Sequence, residues 1–248
     1  MRELRLVTWN VWFGDWEREA RWRALWERLE PLEPDIVCLQ EVVPETLASR
    51  QIGALRRRGY WVSDRRLRDY DVIVAARTGV AAHERVPLPS GMGRELLVAK
   101  LAGAPPLTVA TVHLESLADS TPLRVAQLER IVAHLSAEED VVLAGDLNFP
   151  DGDRPEAALL GGFVDAWPSL HGADPGFTID SRVNEMRYVQ HGTHKQVRYD
   201  RVLLRSPRWR VADVERLGTE PLGDDPFTFV SDHFGLSVRL VADGPFGR

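Results

Sequence analysis

The sequence contains one cysteine in 248 residues, which excludes two kinds of structural site. A single cysteine cannot form an intramolecular disulfide, and it cannot supply the several thiolates that a cysteine zinc site needs. Cys38 lies between Val37 and Leu39 in an apolar run. We therefore predict that the Cys38 side chain packs in the core.

Long hydrophobic runs are also lacking. The apolar runs are only as long as single strands, far short of the ~20 residues that a membrane helix needs. Residues 1–3 lead directly into a strand pattern rather than into the apolar region of a signal peptide. We expect a cytoplasmic protein that has no membrane partner, and we expect a monomer.

An excess of basic residues is the third feature that the chain lacks. With 31 Lys and Arg against 37 Asp and Glu, the formal net charge is −6. This balance argues against a general basic coat for duplex nucleic acid, although a local cationic strip or a divalent ion could still bind phosphate. Arginines do concentrate at residues 56–58 and at Arg65, Arg66 and Arg68, where a solvated face and a phosphate track are the two interpretations.

What remains is the composition of an ordinary globular protein. Hydrophobic residues make up 44% and charged residues 27%, and no change in composition marks a linker, so we predict one domain over residues 1–248. Trp22, Leu25, Trp26 and Leu29 follow the i, i+3, i+4, i+7 spacing of an amphipathic helix. Further helices are predicted over residues 45–57, from Thr121 onwards, and over residues 155–160.

Strand patterns occupy much of the rest and make the fold class α/β. Residues 149–194 are rich in Gly, Pro and Asp, and apart from their short helix they are predicted as long loops. Several strands in the middle of the chain follow one another closely, which is typical of an antiparallel meander. The predicted strands cover residues 4–9, 35–42, 71–76, 80–86, 94–101, 107–113, 141–146, 198–204, 211–216 and 231–238.

Polar side chains stand where these strands end. The apolar run at residues 141–144 passes through Gly145 into Asp146 and Asn148, which can project to the same side of the strand's exit. A proton acceptor beside a neutral donor suits a water molecule that attacks a phosphate, whereas Gly, Asp and Asn are also the commonest residues of plain turns. The same placement at a strand edge is shared by Asn10, Glu41, Asp200, Asp232 and His233.

Taken together, these strand ends resemble the endonuclease/exonuclease/phosphatase superfamily. The matching motifs follow the order of that superfamily from residue 8 to residue 238. The resemblance implies a four-layer α/β sandwich in which two mixed or antiparallel sheets pack face to face and are flanked by helices. The motifs are Thr8-Trp9-Asn10, Leu39-Gln40-Glu41-Val42, Gly145-Asp146-Leu147-Asn148, Arg198-Tyr199-Asp200 and Ser231-Asp232-His233.

Three segments are similar to those of the 5′-tyrosyl-DNA phosphodiesterases within that superfamily. They are Met92-Gly93-Arg94-Glu95-Leu96-Leu97, His113-Leu114-Glu115-Ser116 and Arg198-Tyr199-Asp200-Arg201. Two positions depart from that family: Phe149-Pro150-Asp151 stands where an arginine is usual, and Ile179 stands where a tryptophan is frequent.

The likeness implies a divalent-metal-dependent phosphodiesterase that acts on nucleic acid 5′ ends in DNA repair. A phosphodiesterase or phosphatase acting on a small or lipid-derived phosphoester is the alternative, because one fold can serve both substrate classes. A non-catalytic nucleic-acid-binding member is a third hypothesis. The presence of Glu41, Asp146, Asn148 and His233 argues against it.

The chemistry of each residue type suggests its task. Glu41 is the predicted ligand of Mg²⁺, with Mn²⁺ as the other possible ion, because Mg²⁺ prefers hard oxygen ligands and is usually held by one or two carboxylates. Asp232 is predicted either as a second acidic group near the metal or as a simple neighbour of His233 and its carboxylate partner. Asp146 is the predicted base toward water, and Asn148 and Asn10 are neutral donors that orient the water or bind a phosphoryl oxygen.

His233 is predicted to donate an N–H to the charge that develops on phosphate. The family likeness assigns Asp200 as the carboxylate on its other ring nitrogen. The same likeness implies that His113, Ser116 and Arg94 bind the substrate phosphate. The residues from His191 to His194 lack cysteine partners, and we interpret them as surface rather than as a metal pair.

Overall fold

A computed structural model describes residues 1–63, 69–152, 154–223 and 225–242. In chain order its strands are β1 (Arg2–Asn10), β2 (Ile36–Val42), β3 (Trp61–Val62), β4 (Asp71–Ala76), β5 (Val80–Pro87), β6 (Glu95–Leu101), β7 (Thr108–His113), β8 (Val141–Asp146), β9 (Val164–Asp165), β10 (Ile179–Asp180), β11 (Gln196–Val197), β12 (Asp200–Arg205), β13 (Trp209–Leu217) and β14 (Gly235–Ala242). Its α-helices are α1 (Arg18–Leu29), α2 (Pro44–Leu47), α3 (Arg50–Arg57), α4 (Thr121–Leu135), α5 (Pro155–Ala158), α6 (Ala166–His171) and α7 (Glu185–His191), and a short 3₁₀ helix covers Glu30–Leu32.

The strands form two 6-stranded sheets and one 2-stranded sheet. The first large sheet has the order β13-β14-β1-β2-β4-β3, the second has the order β5-β6-β7-β8-β12-β9, and β10 pairs with β11. Each large sheet contains one parallel pair, β1 with β2 and β7 with β8, among antiparallel neighbours. Both large sheets are therefore mixed.

Successive side chains of a strand point to opposite faces of the sheet, and the strands here carry apolar residues on both faces. The two sheets can therefore pack face to face while their outer faces are covered by other elements. On β1, Leu4 and Leu6 belong to a core cluster that also contains Val142 and Ala144 of the second sheet. The next residue of β1, Val7, lies in a separate cluster with helix residues. One face of each sheet thus fills the central core, and the other face is covered from outside.

Helices cover both outer faces and complete four layers. Leu25 of α1 and Ile52 of α3 pack on the first sheet, and Leu128 and Ile131 of α4 pack on the second. The four-layer α/β sandwich expected from the sequence is confirmed. Among the described residues, no helix combines the length and the apolar character needed to cross a membrane.

Two sequence predictions about local structure were wrong. The helix predicted over residues 45–57 is divided into α2 and α3, because Ser49 adopts an extended backbone and its side chain accepts the N–H of Ile52 as an N-cap. The segment 149–194 holds α5, β9, α6, β10 and α7 rather than one helix within long loops, and α5 is shorter than predicted. Asp165 and Asn184 cap α6 and α7, so these short helices rely on local hydrogen bonds that periodicity does not reveal.

The predicted arginine-rich face is only partly visible. Residues 56–58 are exposed at the end of α3, as the interpretation of a solvated face expects. Arg65, Arg66 and Arg68 lie outside the described residues.

Candidate active site

The ends of neighbouring strands bring the predicted residues together. Across the parallel pair β7 and β8, His113 lies opposite Asp146, and across the antiparallel pair β8 and β12, Asp146 lies opposite Asp200. Asn10 ends β1 in the first sheet, and His233 lies two residues before β14. Side chains from both sheets therefore meet at one edge of the sandwich.

Asn10 joins the two sheets at this edge. Its Nδ2 donates to Oε1 of Glu41 at 3.0 Å and to Oδ2 of Asp146 at 3.0 Å. Its Oδ1 accepts the backbone N–H of Trp12 at 3.0 Å. Because the amide carries no charge, it holds two carboxylates close together without neutralising either one.

An irregularity within β2 sets the direction of the Glu41 side chain. The pairing of β2 with β4 shifts register between Leu39 and Val42, and Glu41 has the left-handed φ of 62°. Its Oε2 accepts the backbone N–H of Phe13 at 2.9 Å. A non-glycine residue in this conformation costs of order 1–3 kcal/mol and is retained where the surroundings impose it. The bulge aims the carboxylate at the site.

Burial makes ionisation costly for both carboxylates. Burial, together with the charge of Asp232, raises the pKa of Glu41 to about 7. Burial, together with the charge of Asp200, raises the pKa of Asp146 to about 6. A carboxylate whose pKa lies this close to neutrality can accept a proton at physiological pH, as a general base must.

His233 and Asp200 form a buried pair. Nδ1 of His233 lies 2.7 Å from Oδ2 of Asp200, and Nε2 lies 3.9 Å from Oδ2 of Asp146. Burial opposes the charged imidazole, but the negative charges of Asp200, Asp232 and Asp146 outweigh it and raise the pKa of His233 well above its ordinary value. The predicted pairing of His233 with Asp200 is present, and it favours an imidazolium that can donate from Nε2.

His113 has the opposite character. Nη1 of Arg94 lies 3.1 Å from Nδ1 of His113 and donates to it, and Nη2 donates to Oγ of Ser116 at 2.8 Å. Burial and the adjacent Arg94 charge lower the pKa of His113 well below its ordinary value. The contacts of Nε2 with Asp146 at 3.5 Å and with Glu41 at 3.8 Å are therefore made by a neutral ring and are not ion pairs.

Asn148 reaches the site less directly than expected. Its backbone N–H donates to Oδ1 of Asp146 at 2.9 Å, but its Nδ2 donates to the carbonyl of Leu114 at 3.0 Å and to Oγ of Ser116 at 3.3 Å. The two side chains thus diverge after the strand, and Asn148 adopts a left-handed φ of 54°. Its task as a donor to water or phosphate stays a prediction.

Asp232 lies on the outer side of the cluster. Its Oδ2 is 3.8 Å from Nε of Arg187 on α7, and its Oδ1 accepts Oγ of Ser231 at 3.4 Å. The charge of Asp232 also raises the pKa of Glu41 and of His233. The structure thus brings together all ten sequence-predicted residues, with Asp232 and Asn148 at the margin of the group.

The donor set suits a divalent cation. Glu41 and Asp232 are carboxylates that repel each other, and hard oxygen atoms of this kind are the ligands that Mg²⁺ prefers. Asp146, Asp200 and His233 also offer ligand atoms within 4.8 Å of one another, and Oδ1 of Asp200 is buried and has no hydrogen-bond partner among the residues that the structure describes. The short contact between His233 and Asp200 identifies those two as a hydrogen-bonded pair, and the assignment of Glu41 with Asp232 as the metal ligands stays a prediction.

Four residues at the site were missed by sequence inspection as functional candidates. Phe13 is 43% exposed and its ring stacks on that of Tyr70 at 4.6 Å, and the guanidinium of Arg94 lies 5.3 Å from the centre of the Tyr70 ring. Arg187 approaches Asp232, and Glu115 lies beside Ser116. Only Glu115 carried a signal in the sequence, since it stands in the segment His113-Leu114-Glu115-Ser116 that is similar to the 5′-tyrosyl-DNA phosphodiesterases. The other three come from segments with no recognisable pattern.

The two positions that depart from the tyrosyl-DNA phosphodiesterases have structural tasks here. Ile179 on β10 is 3% exposed and packs in the interior. The carboxylate of Asp151 binds both Arg198 and Arg201, and the guanidinium of Arg201 lies 4.3 Å from the centre of the Phe149 ring. His191 and His194 are exposed, as predicted for a surface segment.

Comparison with known proteins places this geometry in context. The sequence profile of the Endonuclease/Exonuclease/phosphatase family matches residues 7–233. Tyrosyl-DNA phosphodiesterase 2 of Danio rerio is 29% identical over 249 residues, which are 94% of this chain and 66% of that protein. The protein of the same name from Xenopus laevis is 30% identical over 251 residues, which are 93% of this chain and 64% of that protein. The chain thus spans slightly less than two thirds of the length of these relatives.

Solved structures agree with this relationship. A crystal structure of D. rerio TDP2 complexed with single strand DNA product superposes with a TM-score of 0.81 at 26% identity, and covers 97% of this chain and 99% of the crystallised one. An endonuclease/exonuclease/phosphatase from Beutenbergia cavernae superposes with a TM-score of 0.71 at 21% identity, over 98% of this chain and 72% of the other, and shares the fold.

Proposed function

This chain belongs to the endonuclease/exonuclease/phosphatase family, and we propose from that membership that it is a Mg²⁺-dependent phosphodiesterase acting on tyrosyl esters at DNA 5′ ends. The observation that carries the proposal is the convergence of Asn10, Glu41, Asp146, Asp200 and His233 from two sheets within hydrogen-bonding reach. A base, an acid and a metal ligand in one cluster are the groups that hydrolysis of a phosphodiester needs.

The charge of each side chain determines its task in the hydrolysis. Asp146 accepts the proton of the water that attacks phosphorus, since its raised pKa leaves it able to hold that proton. Glu41 and Asp232 would hold the divalent ion, which when bound supplies positive charge against the phosphoryl oxygens. Asn10 fixes the distance between Glu41 and Asp146 by donating to both.

The opposite flank binds the phosphate. His233, kept charged by Asp200, donates from Nε2 to a phosphoryl oxygen, where charge develops in the transition state. Arg94, Ser116 and neutral His113 supply further donors. Attack of water forms one P–O bond as its proton passes to Asp146, and the bond from phosphorus to the tyrosyl oxygen breaks. That oxygen leaves as a phenolate and takes up a proton from solvent, so the products are a 5′-phosphate and a tyrosine hydroxyl.

Hydrolysis of a single-stranded oligonucleotide that carries a 5′-phosphotyrosine tests the proposal. The reaction is run with Mg²⁺, with Mn²⁺ and with EDTA, beside an unmodified oligonucleotide and a generic aryl phosphodiester, and Asp146→Asn serves as the blank. We expect selective, metal-dependent release of tyrosine that falls by several orders of magnitude in the variant while the fold is kept. Hydrolysis of the generic diester alone would instead assign the chain to small or lipid-derived phosphoesters.

A further inference from the structure

The loop before β6 folds around one buried carboxylate. Glu115 is 2% exposed, and its Oε2 accepts Oγ–H of Ser90 at 2.7 Å while its Oε1 accepts the backbone N–H of Gly91 at 3.0 Å. Nε2 of Gln127 on α4 donates to Oε2 at 3.3 Å. These three donors are neutral and belong to the loop and to the helix behind it, so the carboxylate anchors the loop to the second sheet.

Ser90 connects the Glu115 carboxylate to the backbone of Arg94 through hydrogen bonds. Its Oγ, which donates to Glu115, accepts the backbone N–H of Met92 at 2.9 Å and of Arg94 at 3.0 Å. The carbonyl of Arg94 in turn accepts the backbone N–H of Leu88 at 3.0 Å. The backbone of Arg94 is therefore located by a relay that starts at the Glu115 carboxylate.

The position of this backbone decides where the guanidinium lies. Arg94 is 7% exposed, and its Nη1 and Nη2 contact His113 and Ser116. Its Nε is buried and finds no hydrogen-bond partner in the described part of the chain. Its neighbours are thus neutral donors or acceptors, and no carboxylate among the described residues forms an ion pair with it. The positive charge stays available for an anion, provided that the backbone keeps it in place.

We propose that Glu115 is a positioning residue, which acts through Ser90 to hold Arg94 and thereby sets the affinity of the site for the terminal phosphate. The inference deepens the proposed function and rests on it for the identity of that phosphate, a 5′-phosphate on a DNA strand. Glu115 and Ser90 do not touch the reacting atoms in this arrangement.

The chain offers a matched control at the other end of β8. Asp140 is buried, accepts Oγ–H of Ser206, and Ser206 accepts the backbone N–H of Arg208 at 2.9 Å and of Trp209 at 2.7 Å. This relay also runs from a carboxylate through a serine to backbone N–H groups, although the Asp140 carboxylate pairs in addition with the Arg208 guanidinium, and it lies at the start of the strand whose end carries Asp146. Asp140→Asn should therefore lower stability without changing phosphate affinity.

The test compares the binding of two fluorescent single-stranded oligonucleotides in Mg²⁺, one with a 5′-phosphate and one with a 5′-hydroxyl. The ratio of the Kd of the 5′-hydroxyl strand to the Kd of the 5′-phosphate strand isolates the contribution of the terminal phosphate. The 5′-phosphate strand is the reaction product, so it is not turned over during the measurement. Arg94→Ala should reduce this ratio about tenfold or more, since it removes charge-assisted hydrogen bonds to an anion. Glu115→Gln and Ser90→Ala should each reduce it about three- to tenfold.

The variant that combines Glu115→Gln with Arg94→Ala distinguishes an effect of Glu115 through Arg94 from an effect of Glu115 on the site by another route. If Glu115 acts through Arg94, then Glu115→Gln should change the ratio no further in the Arg94→Ala background. Asp140→Asn should lower the Tm and keep the ratio of the unmodified chain. Three results would overturn the inference. One is an unchanged ratio in both Glu115→Gln and Ser90→Ala, and another is an original chain without preference for the 5′-phosphate. The third is a Glu115→Gln substitution that lowers the ratio equally with Arg94 and with Ala at position 94.

Failure of the proposed function and failure of the positioning inference give different results. A chain that hydrolyses no tyrosyl ester, yet loses 5′-phosphate preference in Glu115→Gln only when Arg94 is present, keeps the positioning inference and refutes the proposed reaction. A chain that hydrolyses the ester normally and shows no such dependence refutes the positioning inference alone. In the active chain, the effect should appear mainly in KM rather than in kcat.

Discussion

Replacing Glu41 with Gln should make the metal-free protein more stable while it removes the metal response. The carboxyl ionises near 4.5 when unperturbed and near a pKa of about 7 in the fold. Below pH 4.5 it is protonated in both states and its burial has little effect. As the pH rises toward 7 the unfolded chain ionises first, so the fold loses stability, and above 7 the loss is constant.

The size of this loss follows from the shift. One pKa unit corresponds to about 1.4 kcal/mol, so ionised Glu41 costs the metal-free fold about 3 kcal/mol at pH 8 and about 1 kcal/mol at pH 5. Glutamine keeps one acceptor oxygen for Asn10 or Phe13 but not for both, which costs about 1 kcal/mol. We expect Glu41→Gln to be about 2 kcal/mol more stable at pH 8, equivalent to about 4–8 °C in Tm, and nearly unchanged at pH 5.

Urea denaturation in EDTA at the two pH values measures this difference. Mg²⁺ should then stabilise the original chain at pH 8, because an ion that binds only the folded state shifts the equilibrium by mass action, and it should have little effect on Glu41→Gln. A variant that is no more stable at pH 8 would refute the ionisation cost of buried Glu41. A variant that gains as much stability from Mg²⁺ as the original chain would refute Glu41 as a metal ligand.

Three further predictions concern buried residues of the site and of the core. Gly145→Ala should lower the free energy of unfolding by about 3 kcal/mol or more in urea denaturation, since Gly145 has φ 142° and a Cβ would overlap the carbonyl oxygen of Val112; a loss below about 1 kcal/mol would contradict this. Burial raises the pKa of Cys38 to about 12, so the folded chain should resist iodoacetamide at pH 8 and react once unfolded, whereas rapid native labelling would refute its burial. Asp200→Asn removes the main charge that raises the pKa of His233, and because the imidazolium is then lost at lower pH, the alkaline limb of the kcat/KM profile should move to lower pH; an unmoved limb would exclude His233 as the charged donor.

Local patterns in the sequence determined much of the fold. Alternating and continuous apolar runs located the long strands to within a few residues, and the stripe from Trp22 to Leu29 located the first helix. These patterns work because a strand or helix must bury one face wherever it lies in the fold. The division at Ser49 and the short helices between residues 149 and 194 could not be predicted this way, since single capping hydrogen bonds define them.

The chemistry of the site was also readable at the strand ends, because polar residues after buried strands stand out in the sequence. Asp146, Glu41 and His233 could be proposed from this signal and from the resemblance to a family. Their geometry required the tertiary structure: the register that sets Asp146 opposite Asp200 depends on strand pairing, and the aim of Glu41 depends on a bulge in β2.

Contacts between distant segments were decided by the tertiary structure alone. The divergence of Asn148 from Asp146, the approach of Arg187 to Asp232 and the relay from Glu115 to Arg94 each join residues whose separation in sequence carries no pattern. The charges around each ring likewise set the opposite pKa shifts of the two histidines, since burial lowers both pKa values and only the carboxylates around His233 outweigh it. The sequence thus determined which groups are available, and packing of the two sheets decided which of them act together.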